Sequence, residues 1–332
     1  MLGRTAGIWH PDRYHGRGKK DGFFEGWYFK VVDPTERHIY AFIPGISFAA
    51  EDSHSFIQVL NGASGESRYF RYGLGDFRAS KTRFEVEIGG SAFANDTVRI
   101  DIPGEYRGEL KFLGVRPWPV SLFSPGVMGP YAFAPFMECY HGVLSLDHGI
   151  QGRMSVGTGE MDFTGGRGYI EKDWGRAFPS SWVWMQSNHF SEPGFSLSLS
   201  LARVPWRRSW FPGLIAGLLV RDRLYRFATY TGAKLTRLDV SETSVVLEIR
   251  DAKHRLEVEA ARTAGGELVS PRPRAGMTGR IGETMSSVVR VALRRGEKFG
   301  GALVFEGEGR NAGLEVVGNV SELRPEAPRG GR

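Results

Sequence analysis

The sequence predicts an all-β protein made of two tandem antiparallel β-barrel domains, and three observations support this fold class. Apolar residues alternate with polar ones, most clearly over residues 195–201 (FSLSLSL), as they do in a strand with one buried face. No stretch keeps the apolar spacing of an amphipathic helix. Glycine supplies 45 of the 332 residues, about twice its usual share, which indicates many turns between short strands.

The composition limits the class of protein that this chain can be and the kinds of partner that it can bind. Hydrophobic residues make up 41% and charged residues 24%, which excludes a wholly disordered chain. The net charge of +6 is modest, and neither a zinc-finger spacing nor an RNA-binding aromatic signature is present, so no nucleic-acid partner is expected. A single cysteine, Cys139, excludes an intramolecular disulfide. Because no signal-peptide pattern is present either, we expect a cytoplasmic protein.

Two Trp-bearing segments divide the chain into two domains of similar length. Trp182 lies 155 residues after Trp27, which is a typical domain length, and each belongs to an aromatic strand with acidic residues before it. We therefore expect one barrel over residues 1–165 and a second over residues 166–323. The remaining residues, 324–332, contain no core-forming side chains and are expected to be disordered.

Residues 115–136 interrupt the alternation with five prolines among many aromatic residues. Because proline cannot donate a hydrogen bond to a central ladder, this segment is not an interior strand. We expect it to pack over one end of a barrel or between the domains.

Tryptophans paired with basic residues occur at Trp206, Arg207, Arg208 and Trp210. This combination is typical of an anchor at a membrane surface, so peripheral membrane contact is expected there, with an ordinary polar-ended hairpin as the alternative. The apolar run over residues 210–220 is too short to span a bilayer.

The densest chemical signal lies in residues 168–190. On an extended strand, Trp182, Trp184, Gln186 and Asn188 share one face. Two indoles with two amides suit the wall of a pocket for an amphiphilic molecule. The alternative is that the amides satisfy loop backbone groups inside a barrel.

Three motifs resemble the tocopherol cyclase family, most closely its bacterial members. They are FFEGWYFK at 23–30, MECYHG at 137–142, and EKDWG at 171–175 continued by WVWMQSNHF at 182–190. The resemblance implies two lipocalin-like β-barrel domains. It also implies ring closure of a prenylated hydroquinone to a chromanol, with neither an organic cofactor nor a metal ion.

Closing a chromanol ring requires an acid that protonates a trisubstituted alkene and a phenol oxygen that captures the tertiary cation. A buried carboxyl group with a raised pKa can supply the proton, aromatic faces can stabilise the cation, and exclusion of water prevents hydration. Carboxyl groups beside tryptophan are therefore the candidate acids, namely Glu171 first, then Asp173, and Glu25. We expect residues 171–173 to lie in a loop.

Each candidate acid has an alternative role in an ion pair, and surface pairs of this kind contribute little to stability. The available partners are Lys30 and Arg13 for Glu25, and Lys172, Arg176 and Arg167 for the other two acids. His141 is expected to hydrogen-bond in the pocket or to act as the base for the phenol, with a satisfied core histidine as the alternative.

The leading function is thus acid-catalysed cyclisation of a prenylated hydroquinone or a related isoprenoid by an intramolecular cyclase. The alternative is a lipocalin-like carrier that binds such a lipophilic small molecule without turnover. The residues expected to contact the substrate are Trp27, Tyr28, Glu138, Trp174, Trp182, Trp184, Gln186 and Asn188.

Overall fold

Strands make up almost all of the regular structure. The computed structural model describes residues 7–296 and 301–325, and the tail expected to be disordered lies outside them from residue 326 on. Within these residues, no helix is long and apolar enough to cross a membrane. The all-β prediction is confirmed. Short 3-10 turns are found at Leu74–Asp76, Gly129–Phe133, Thr229–Thr231 and Val320–Leu323.

The described strands are numbered in chain order. They are β1 (Phe23–Val32), β2 (Ile39–Phe48), β3 (His54–Asn61), β4 (Ser67–Tyr72), β5 (Phe77–Ala79), β6 (Glu85–Ile88), β7 (Ser91–Ala94), β8 (Thr97–Ile102), β9 (Tyr106–Leu113), β10 (Val120–Ser121), β11 (Ser124–Pro125), β12 (Cys139–Val156), β13 (Gly159–Asp162), β14 (Arg167–Gly175), β15 (Trp182–Ser187), β16 (Phe195–Trp206), β17 (Ser209–Val220), β18 (Arg223–Ala228), β19 (Lys234–Val240), β20 (Ser244–Arg250), β21 (His254–Ala261), β22 (Gly266–Arg272), β23 (Gly276–Arg295) and β24 (Leu303–Val317).

Two large antiparallel sheets contain most of these strands. The first runs β4-β3-β2-β1-β14-β12-β9-β8-β7-β6-β5, with β13 paired to β12. The second runs β18-β17-β16-β15-β24-β23-β21-β20-β19, with β22 paired to β23. Within the described residues neither ladder closes on itself, so each sheet is open in its hydrogen bonding rather than a fully closed barrel.

The chain divides into two compact units. The first runs to Phe178 and also includes Gly266–Ile281, and the second comprises Pro179–Gly265 and the residues from Gly282 onward. The sequence-based boundary after residue 165 assigned β14 to the second domain. In the structure β14 pairs with β1 on one side and β12 on the other, inside the first sheet.

Alternating side chains build a separate core in each unit. In the second unit, Leu197, Leu199 and Leu201 of β16 are fully buried beside Val183 and Met185 of β15. Each fully buried aliphatic side chain of this kind stabilises the fold by about 1.5–3 kcal/mol. The interior of the first unit is filled in the same way by aromatic and aliphatic side chains, among them Trp27, Phe29, Phe42, Ile57 and Phe93.

The hairpin over Gly266–Ile281, which is distant in sequence from the other strands of the first unit, completes that unit. The amide of Gln58 on β3 accepts the backbone N–H of Val269 at 2.7 Å and donates to its carbonyl at 3.3 Å. Gln58 is buried, so these two bonds satisfy the amide and fix β22 against β3.

The proline-rich segment 115–136 runs beside β12 of the first unit. Arg116 exchanges backbone bonds with Leu146 and Asp147, and the N–H of Trp118 donates to Val143 at 3.4 Å. The chain then turns through the short hairpin β10–β11. Prolines are tolerated here because the segment lies at the edge of the ladder.

Candidate active site

Five polar side chains meet on one face of the first sheet, which we call the acid face: Tyr28, His141, Tyr169, Glu171 and Asp173. Register explains their proximity, because β14 pairs Glu171 with Tyr28 of β1, and Asp173 with His141 of β12. Tyr169, Glu171 and Asp173 alternate along β14 and therefore point to the same side. The acid face is opposite to the side that packs into the core of this unit.

The expectation that residues 171–173 form a loop is wrong. They lie within β14, which is hydrogen-bonded on both edges. Because a strand places residues two apart on one side, Glu171 and Asp173 do share a face. The segment lacks the usual polar alternation because both of its faces are largely buried.

The Glu171 carboxyl is held in a buried network. Its side chain is only 7% exposed, and the Tyr169 hydroxyl donates to Oε2 at 2.6 Å. His141 lies between the two carboxyl groups, with Nδ1 at 2.9 Å from Asp173 Oδ1 and Nε2 at 3.8 Å from Glu171 Oε2. The imidazole therefore connects Asp173 to Glu171 and can pass a proton between them.

The electrostatics of the acid face keep His141 charged. Burial lowers the pKa of the imidazole, but the Asp173 carboxylate and then the Glu171 carboxylate outweigh it and raise the pKa of His141 to about 9. The imidazole is therefore protonated at neutral pH and stores a proton beside both carboxyl groups.

This shift predicts a pH dependence of stability. Because the pKa of His141 is 6.5 in the unfolded chain and about 9 in the fold, its stabilising effect is complete below pH 6.5 and is lost as pH rises through 9. The loss amounts to about 3 kcal/mol at most. Urea unfolding between pH 6 and pH 10 measures it. His141→Gln should flatten this dependence, whereas His10→Gln, outside the network, should not; equal slopes in both variants would contradict the prediction.

Three side chains of the acid face could also hold a metal ion. One ligand atom each from His141, Glu171 and Asp173 lies within 4.8 Å of the others. Cys139, two residues before His141, lies on the same side of β12 with Sγ 3.8 Å from Asp173 Oδ1, and burial raises the pKa of its thiol. The contact of His141 with Asp173 at 2.9 Å also suits proton transfer.

A second polar network lies on the opposite side of β1 and β14, which we call the lysine cluster: His15, Glu25, Trp27, Lys172 and Trp174. Lys172 and Glu25 are fully buried, and Nζ lies 2.6 Å from Glu25 Oε1. Nζ also lies 2.9 Å from His15 Nδ1. The rings of Trp27 and Trp174 flank the ammonium at 4.9 and 4.6 Å, so the cation is also stabilised by their π faces.

Glu25 is ionised in this cluster. Burial raises its pKa, but the Lys172 ammonium and the hydrogen bonds from His15 outweigh that effect and place the pKa of Glu25 below its usual value. The backbone N–H of His15 donates to both carboxylate oxygens at 2.9 Å. Glu25 thus pairs with neither Lys30 nor Arg13, and its environment favours the carboxylate over the acid.

The remaining predicted residues of the first unit lie around these two networks. Trp27 is fully buried in the core, and its indole N–H donates to Asp12 O at 3.2 Å. Trp174 stacks between His15 and Tyr140, at ring distances of 4.5 and 5.5 Å. Glu138 immediately precedes β12, and its carbonyl accepts the N–H of Arg176 at 2.8 Å. Neither tryptophan side chain lies on the acid face.

The Trp–amide face predicted for residues 182–188 is formed in the second unit. Trp182, Trp184, Gln186 and Asn188 are all buried, although they point away from the core side of β15. The Trp182 indole donates to Glu315 Oε2 at 2.5 Å, and the Gln186 amide donates to Asn188 at 3.4 Å. The Trp182 indole and the amides of Gln186 and Asn188 therefore have defined polar partners.

Tyr169, Lys172 and His15 were missed as site residues. Tyr169 is two residues before Glu171, so strand alternation identifies it once residues 167–175 are taken as extended. On an extended strand, Lys172 shares its side with Ile170 and Trp174, so the sequence indicated an apolar side rather than a polar site. No signal in the sequence links His15 to Lys172, because they are 157 residues apart.

Comparison with known proteins identifies the family. A sequence model described as tocopherol cyclase-like matches residues 126–318, which is more than half of the chain. The chain belongs to the tocopherol cyclase-like family. The resemblance predicted from the motifs is confirmed, and membership of the tocopherol cyclase-like family supports a cyclase-like function. The matched range includes β12, β14 and β15.

Curated relatives extend the similarity over most of this tocopherol cyclase-like chain. The probable tocopherol cyclase, chloroplastic, of Oryza sativa subsp. japonica is 23% identical over 372 aligned residues, covering 92% of this chain and 77% of the relative. The tocopherol cyclase, chloroplastic, of Zea mays is 24% identical with the same coverage.

Solved structures with a similar fold share little sequence with this family member. The structure of CghA with Sch210972 has a TM-score of 0.56 at 13% identity and covers 89% of both chains. A protein described as a putative AttH from Nitrosomonas europaea has a TM-score of 0.51 at 16% identity, covering 88% of this chain and 92% of the other. These likenesses show the fold, and the lipocalin-like fold class is confirmed.

Proposed function

We propose that the protein catalyses acid-driven ring closure of a prenylated hydroquinone or a related isoprenoid on the acid face, with Glu171 as the acid. One observation carries the proposal: the buried Glu171 carboxyl is oriented by the Tyr169 hydroxyl and connected through His141 to Asp173. Family membership and the names of the two plant relatives support it.

The proposed reaction conserves its protons. The proton held by His141 first passes to the Glu171 carboxylate, and Glu171 then transfers it to the less substituted alkene carbon, which forms a C–H bond and leaves a tertiary cation. The phenol oxygen then forms the C–O bond, and its O–H bond breaks. The proton released from the phenol passes to the acid face, where His141 can return it to Glu171. The product is an isomer of the substrate, and no oxidant or cofactor is consumed.

Two features of the acid face and one of the lysine cluster support these roles. Glu171 is shielded from water, which would otherwise hydrate the cation. Tyr28 and Tyr169 are buried beside it, and aromatic rings stabilise a cation without reacting with it. Glu25, by contrast, is held as a carboxylate by Lys172. We therefore assign the acid to Glu171, with Asp173 as a charge partner of His141.

Turnover in heavy water tests the proposal. We expect a geranyl-substituted hydroquinone incubated with the protein in D2O to give a chromanol with one non-exchangeable deuterium beside the new ether carbon, detected by mass spectrometry and NMR. EDTA should leave the rate unchanged, because the proton comes from side chains. If quenching of Trp fluorescence shows that the hydroquinone binds but no product forms, the protein is instead a carrier.

A further inference from the structure

An exposed apolar patch occupies the proline-rich segment of the first unit. It consists of Val120, Leu122, Phe123, Phe133 and Phe136, which are five of the eight large apolar side chains that are exposed in the described part of the chain. Leu122 is 65% exposed and Phe123 is 80% exposed. Exposed aromatic side chains grouped in this way are unfavourable in water and mark an interaction surface.

The patch has a fixed shape. Leu122 and Phe123 form the tip of the hairpin β10–β11, which Val120 begins. The indole N–H of Trp9 donates to the Leu122 carbonyl at 3.1 Å, and the Trp9 ring meets the Phe133 ring edge-on at 5.7 Å. The apolar tip is therefore presented outward by a supported hairpin.

The segment that carries the patch contains one charge, and that charge is basic. Between residues 115 and 137 the single charged residue is Arg116, and it is exposed. The Arg176 guanidinium, also exposed, donates to the Phe136 carbonyl at 3.2 Å. A protruding apolar tip, in a segment whose one charge is an arginine and with Arg176 at its end, fits the headgroup and acyl boundary of an anionic bilayer.

We propose that this patch docks the protein on an anionic lipid surface by inserting Leu122 and Phe123. The chain then runs from Phe136 directly into β12, whose third residue is His141 of the acid face. Resting on the proposed function, this continuity gives a lipophilic substrate a short route from the bilayer to the acid. The docking surface thus lies at the β10–β11 hairpin, apart from the segment 206–210 expected from the sequence.

The two sites differ in how their aromatic side chains are held. Trp206 and Trp210 are half-buried, and the Arg203 guanidinium lies 4.8 Å from the Trp210 ring centroid. Phe123, in contrast, is largely exposed at a hairpin tip. Insertion therefore gains more apolar contact at the β10–β11 hairpin.

Flotation of the full chain with vesicles tests the docking surface. We expect it to float with vesicles containing phosphatidylglycerol, and the double variant Leu122→Ser/Phe123→Ser to bind at least about tenfold more weakly. The matched control is Leu74→Ser/Leu303→Ser, which removes two exposed apolar side chains elsewhere and should bind as the parent does. Thermal melting should be equal in all three proteins, because the altered residues are exposed.

Several outcomes would overturn the docking proposal: no flotation of the parent chain, equal flotation of the Leu122/Phe123 variant, or loss of flotation only in Trp206→Ser/Trp210→Ser. The parent chain could instead sediment as a dimer and fail to float with vesicles. If Leu122→Ser/Phe123→Ser then abolished the dimer, the patch would be assigned to contact with a second copy of the chain. Turnover of a water-soluble, short-chain prenyl hydroquinone is measured separately. The docking proposal and the proposed function can therefore fail independently.

Discussion

Glu171→Gln is expected to lower turnover by about 10²–10⁴-fold, the range that a positioned general acid contributes. The amide has the shape of the carboxyl and can still accept the Tyr169 hydroxyl through its oxygen. It cannot release a proton to the alkene. The fold and substrate binding should therefore be retained while the chemical step is lost. Single-turnover kinetics with product analysis measure this effect.

Two further variants make this expectation specific. Glu160→Gln is the same change at an exposed position on β13 and should leave the rate unchanged. Asp173→Asn removes the partner that contributes most to the raised pKa of His141, so the pH profile should shift to lower pH together with a smaller loss of rate. If Glu171→Gln retains the parent rate while Asp173→Asn abolishes turnover, the acid is Asp173.

The architecture was predictable where polarity alternates along the chain. Over residues 195–201 the leucines are buried in the core as expected, although Ser196 and Ser198 on the face expected to be outside are buried as well. Such a strand encodes its own orientation, because one face is buried in its own unit's core. The same argument correctly placed Trp182, Trp184 and Gln186 on a shared face.

The acid face was harder to predict because β14 is buried on both sides. Alternation of polarity then disappears, and a strand such as residues 167–175 has the composition of a loop. Its residues could be named as candidate acids from their types and from the resemblance. Which of these acidic side chains share a face depends on the pairing of β14 with β1 and β12, and these two strands are distant from β14 in sequence.

Ion-pair partners were unpredictable for the same reason. Sequence proximity suggested Lys30 or Arg13 for Glu25, but the register of β1 with β14 brings in Lys172 from 147 residues away. The hairpin over Gly266–Ile281, which joins the first unit, also has no local signal. Both are long-range pairings, which a single sequence does not specify locally.

Glu25→Gln should destabilise the first unit by about 3–5 kcal/mol, because it leaves the Lys172 ammonium buried without its countercharge. The two side chains are fully buried, so water cannot replace the lost partner. Urea unfolding at pH 7 measures this cost. Glu308→Gln breaks the exposed pair with Arg290 and should cost much less.

The double variant Glu25→Gln/Lys172→Met separates pairing from packing. It removes both charges, so part of the stability lost in Glu25→Gln should return. The carbonyls of Pro11 and Arg13, which accept hydrogen bonds from Lys172, would still lose their donor. Trypsin cleavage after Arg13 should therefore be faster in the double variant than in the parent. A double variant less stable than Glu25→Gln would show that Lys172 acts chiefly by holding these carbonyls, so that loss of its hydrogen bonds outweighs removal of an unpaired charge.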